Sequence, residues 1–112
     1  MKTFLALYTG APGRTPAELD QATIAKGMAA WGGWMADHAG DVIETGGPLG
    51  KTKLVSPAGI ADISNHVAGF VIVQAESHEA AAKLFEGHPH FSIFPGDGVE
   101  IMEVLPIPGA PA

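Results

Sequence analysis

Two segments, "FLALY" (Phe4–Tyr8) and "VAGFVIVQA" (Val67–Ala75), are apolar on both alternating sets of positions. In the first, Phe4, Ala6 and Tyr8 form one set, and Leu5 and Leu7 the other. In the second, Val71, Val73 and Ala75 alternate with Phe70 and Ile72. Short runs of this composition are strands, and successive strand side chains point to opposite faces. A sheet with one solvated face shows apolar/polar alternation instead. Both faces of this sheet therefore need cover, because a bare second face would exceed the apolar patch that monomers carry. A second copy packed sheet to sheet is the simplest cover. Loops folded over that face are the alternative.

The rest of the chain supplies helices for the first face. Ile24, Met28, Trp31 and Met35 recur at helical steps. Thr15 as cap, Pro16 at the first position and Glu18 closing a capping box predict a helix over Pro16–Ala39, stopped by Gly40. Gly27, Gly32 and Gly33 weaken it, which points to a close approach at those positions. Val42–Thr45 reads as a short strand broken by "GGPLG", and Lys51–Val55 as a continuation of the sheet. "SPAGIADISNH" reads as a loop or irregular hairpin. Ser77 caps a second helix, Ser77–Glu86, stopped by Gly87, and Val99–Leu105 is the last strand. The order gives an α+β, ferredoxin-like fold: an antiparallel sheet with two helices on one face. At 112 residues this is one domain, residues 1–106, with 107–112 as a C-terminal tail.

Bulk chemistry removes several function classes. The net charge is −6 with no basic run, so the footprint of a nucleic-acid binder is missing. The absence of cysteine excludes disulfides and thiol catalysis, and fits a reducing compartment. The apolar run after Met1 is about six residues, shorter than a signal-peptide core. No stretch approaches the roughly 18 apolar residues of a membrane span. A cytoplasmic protein with no membrane partner is expected.

Candidate site residues are few. In "GHPH", an extended segment would put His88 and His90 on one side, able to hold a small polar ligand or, with a third ligand, a metal. The structural alternative is a helix end, where Gly87 stops the helix, Pro89 prevents its continuation and a His near the C-terminus meets the dipole. Because Gly87 and Pro89 suffice as the stop, the ligand reading leaves His88 and His90 exposed and free at the helix end. Trp31, Trp34 and His38 lie on one stripe of the first helix, and with Phe70 they form either plain core or the wall of a pocket between helix and sheet. His66 is a further polar candidate. Lys51 and Lys53 either attract an anion or guard a sheet edge. "GPLGKTK" lacks the spacing of a phosphate loop. No metal site and no cofactor are expected.

The segments "GFVIVQAESHEAAAKLFEGHP" and "GDGVEIMEVLPIP", with "WGGWMADHAGDVIETGGPLGKTKLVSPAG" before them, resemble the YCII-related domain family of the dimeric α+β barrel superfamily. The resemblance implies a ferredoxin-like protomer and a homodimer. In that family a His on the first helix and an Asp before the Pro after the second helix are suspected of acid/base work. Here the first position falls near Ala29 and the second is His88, so that pair is absent. Two function classes follow: a small-molecule pocket between the first helix and the sheet, or a non-catalytic dimeric module with no ligand.

Overall fold

The computed structural model describes residues 1–11 and 19–109. Four strands form one sheet: β1 (Lys2–Thr9), β2 (Val42–Pro48), β5 (Val67–Ala75) and β6 (Gly98–Glu103). Their order is β2-β5-β1-β6, and every pair is antiparallel. Two more strands, β3 (Thr52–Ser56) and β4 (Gly59–Ile63), pair only with each other. Three helices complete the fold: α1 (Gln21–Asp37), α2 (His78–Lys83) and α3 (Pro89–Ser92). The α+β, ferredoxin-like arrangement read from the sequence is therefore present.

Register explains the two-sided strands. Phe4 faces Val73 and Ala6 faces Val71, and all four are fully buried. Trp34 of α1 and Ala81 of α2 pack with them, as does Phe85 just beyond α2, so both helices lie on this face. The opposite row holds Leu5 against Ile72 and Met102, and Leu7 against Phe70 and Glu100. Leu5, Leu7, Phe70 and Ile72 are half-buried, and Glu100 and Met102 are exposed. The molecule measures 50 × 40 × 18 Å. Its thin dimension matches one sheet with one helix layer, so among the described residues no second layer covers the outer row. A radius of gyration of 15.9 Å exceeds the roughly 13 Å of a compact chain of this length.

The structure corrects several expected boundaries. Helix α1 begins at Gln21, because Asp20 is extended and its carboxylate accepts from the Thr23 N–H at 2.7 Å. Asp caps at least as well as Thr. The expected cap and box at Thr15, Pro16 and Glu18 lie outside the described residues. Strand β2 runs on through "GGP", with its register broken twice and Gly46 at φ 62°. A Cβ on Gly46 would strike the Phe70 carbonyl, so only glycine lets β2 bend there. Lys51–Val55 does not continue the main sheet. It supplies β3 of a regular hairpin whose second strand lies inside "SPAGIADISNH", where Lys53 and Asp62 pair across the ladder at 2.6 Å.

Helix α2 is shorter than expected. After Lys83 the chain tightens to i→i+3 bonds, Leu84 to Ala81 and Phe85 to Ala82, and turns at Gly87 (φ 69°). Pro89 then does the opposite of stopping a helix. It opens α3 at the first helical position, where its missing N–H costs nothing. The last strand ends at Glu103, although the Val104 N–H still donates to the Thr3 carbonyl.

Candidate functional site

Alternation along β1 sends the Tyr8 side chain under α1, and the α3 turn brings His88 and His90 to it. His88 is fully buried and His90 is 8% exposed. The expectation that both histidines stand free at a helix end is thereby corrected. Phe85, Trp31 and Trp34 close around His88, with Trp31 meeting it edge-on at a centroid distance of 4.6 Å. Two imidazoles so placed are part of the core.

Hydrogen bonds fix the tautomers. The His90 backbone N–H donates to His88 Nδ1 at 3.0 Å, so His88 caps α3 with an accepting nitrogen. In the neutral ring the proton then sits on Nε2, which points at the Tyr8 hydroxyl over a long 3.4 Å. His90 Nε2 lies 2.7 Å from the Thr9 carbonyl and must donate to it. That leaves Nδ1 of neutral His90 as an acceptor. Burial, then the nearness of His90 and His38, pulls the His88 imidazole down to about 4. His88 is thus neutral at ordinary pH. Burial pushes the Tyr8 phenol well above its usual value, so it keeps its proton.

A cavity of about 310 Å³ opens between α1 and the sheet. Trp31, Met28, Met35 and Phe94 form its apolar walls, Gly47, Pro48 and Ala68–Phe70 lie along the strands, and Tyr8, Thr45 and His90 are its lining residues with polar side chains. A second cavity of about 320 Å³ adjoins it, and His90, Met28, Phe94 and Ala68 line both. Gly27 explains how Phe94 reaches this place: a Cβ there would collide with the Phe94 ring. Gly32 and Gly33 have no such neighbour. The wider groove of about 960 Å³ at the hairpin root has no buried residue in its lining. Lys51 is exposed there, and Lys53 is matched by Asp62.

Of the expected site residues, Trp31 and His90 come together at the cavity, and Phe70 borders it on β5 although strand parity puts its side chain in the outer row. Trp34 is core, its indole N–H donating to the Leu84 carbonyl at 2.9 Å. His38 stacks on Trp34 at 4.7 Å and lies 4.0 Å from Asp41, away from the cavity. His66 is exposed at the start of β5 and lines none of these cavities. His88 supports the site from beneath. Tyr8 and Phe94 were not anticipated. The inner parity of Tyr8 was legible in the strand, but its approach to "GHPH" depends on a short helix that the sequence hides.

Among the described residues no three His, Asp or Glu side chains converge as a metal site. No helix is long and apolar enough to cross a membrane.

No protein-family model matches the chain, and no curated protein matches it. A solved structure does resemble it: 5-chloro-2-hydroxyhydroquinone dehydrochlorinase (TftG) from Burkholderia phenoliruptrix AC1100, in complex with 2,5-dihydroxybenzoquinone. The TM-score is 0.55 at 18% identity, over 89% of this chain and 90% of that one. This likeness shows the fold, an α+β protomer in which helices pack on an antiparallel sheet.

Proposed function

We propose that this chain is a YCII-related protein that works as a homodimer and binds a small, largely apolar ring molecule in the cavity between α1 and the sheet. One observation carries the reading. An apolar, aromatic-walled cavity of about 310 Å³ counts Tyr8 and His90 among its lining residues. Ligand sites are mostly apolar clefts with a few placed polar groups, and this volume is at their small end. A protein of the same fold was solved with 2,5-dihydroxybenzoquinone, a single-ring ligand, which supports a ligand of that size. The second copy is motivated by the uncovered outer row of Leu5, Leu7, Phe70, Ile72 and Met102. A module without any ligand has no use for polar atoms in an apolar hollow.

The test is a fragment titration of isotope-labelled protein, read by chemical shifts. Single-ring compounds should move the Trp31 indole N–H and the amides of Ala68–Phe70, and leave the β3–β4 hairpin still. Shifts confined to the hairpin groove, or none anywhere, would overturn the reading.

A further inference from the structure

We infer that the ligand carries a neutral ring hydroxyl, a phenol or an enol, held between Tyr8 Oη and His90 Nδ1, accepting from the first and donating to the second. This rests on the cavity reading above and specifies its chemistry.

His88 Nδ1 is occupied by the His90 backbone N–H, so His88 meets Tyr8 with an N–H. Tyr8 Oη therefore accepts from His88, and its own O–H has no protein acceptor among the described residues. His90 spends its Nε2–H on the Thr9 carbonyl, and its Nδ1 has no donor among the described residues. No buried side-chain nitrogen or oxygen among the described residues lacks a partner. An Nδ1 without a partner is therefore not sealed in the core. Tyr8 and His90 both line the cavity, and their ring centroids are 5.2 Å apart, so one unmet donor and one unmet acceptor lie on neighbouring lining residues. A single hydroxyl, which donates once and accepts as well, can answer both.

Other headgroups fit less well. A carboxylate or phosphate accepts only, would set its charge against the Nδ1 lone pair, and finds no Lys or Arg among the described lining residues. An ammonium donates only and leaves the Tyr8 O–H unanswered. An ether or ketone accepts only and leaves Nδ1 unmet, which costs binding energy wherever the ligand shields that atom from water. Trp31 and Phe94, with centroids 6.1 Å apart, and the two methionines offer the apolar surface that an aromatic ring needs.

The experiment titrates phenol, anisole and toluene into the native protein, following the Trp31 indole N–H. Phenol should bind more tightly than either of the others, by about tenfold, which is one good hydrogen bond. In His90→Gln, the side-chain amide can still donate toward the Thr9 carbonyl while the acceptor at Nδ1 is gone. The preference for phenol over anisole should then shrink to within about twofold, with toluene unchanged. Equal binding of phenol and anisole by native protein overturns the inference and leaves the cavity reading standing. A preference retained in His90→Gln also overturns it. If no ring compound moves Trp31, the cavity reading fails and takes this one with it. Should His90→Gln not fold, the three-compound series on native protein decides alone.

Discussion

His88 Nδ1 accepts the backbone N–H of His90 at 3.0 Å, so one buried imidazole both starts α3 and turns its remaining N–H toward Tyr8. Fold and site share this residue. His88→Ala would empty a fully buried position and strip the cap from α3. The expected loss is roughly 2–4 kcal/mol, the range for large-to-small changes in a core. Urea denaturation checks it, and a loss below about 0.5 kcal/mol would show an exposed, dispensable histidine.

Stability should depend on pH through the same ring. Its pKa is about 4 in the fold, against 6.5 as a free side chain. Between those values the unfolded chain binds more protons than the folded one, so stability rises with pH there. The contribution is complete above about pH 6.5, falls as pH drops toward 4, and is flat below. His88→Asn keeps a capping acceptor without titrating. It should therefore be less stable at pH 7, with a shallower fall between pH 6.5 and 4.5 than the native protein. Parallel pH curves for the two proteins would contradict this.

Two glycines of α1 should respond in opposite senses to alanine. At Gly27 the new methyl meets the Phe94 ring, so Gly27→Ala is expected to destabilise by roughly 1–3 kcal/mol and to shift Phe94. At Gly33 nothing lies within 4 Å, and Gly33→Ala should stabilise by about 0.5–1 kcal/mol. Thermal melts of the pair give the comparison, and equal shifts would argue against the close approach of Phe94.

The outer sheet row gives the assembly prediction. Ile72 sits on that row opposite Leu5, while its neighbour Val71 is fully buried under the helices. Ile72→Lys should split the proposed dimer, because an unpaired charge in a closed interface costs several kcal/mol. Sedimentation equilibrium should show native dimer and variant monomer at micromolar concentration. A native monomer would remove the proposal.

The sheet and its partners were legible because strand parity and capping are local. Phe4, Ala6 and Tyr8 against Leu5 and Leu7 already announce two faces, and Ser77 does cap α2 through its bond to the Ala80 N–H. Three features were not legible. Asp20, a competing cap, stands five residues after Thr15, and pattern alone does not rank them. "SPAGIADISNH" hides a regular strand because β4 is exposed along its whole length and lacks a buried face to mark it. In "GHPH" the sequence shows a stop at Gly87 but not that Pro89 restarts the helix, and that restart alone carries both histidines into the core. Residues paired across about 80 positions, as Tyr8 is with His88, leave no trace in local periodicity.

The account turns on whether the space behind Trp31 is a binding site. A crystal structure of native protein soaked with phenol measures this most directly. Ring density is expected in the cavity against Trp31 and Phe94, with its oxygen within hydrogen-bond distance of Tyr8 Oη and His90 Nδ1. A cavity filled by the protein's own side chains or by a partner's, with phenol bound elsewhere or not at all, would contradict it.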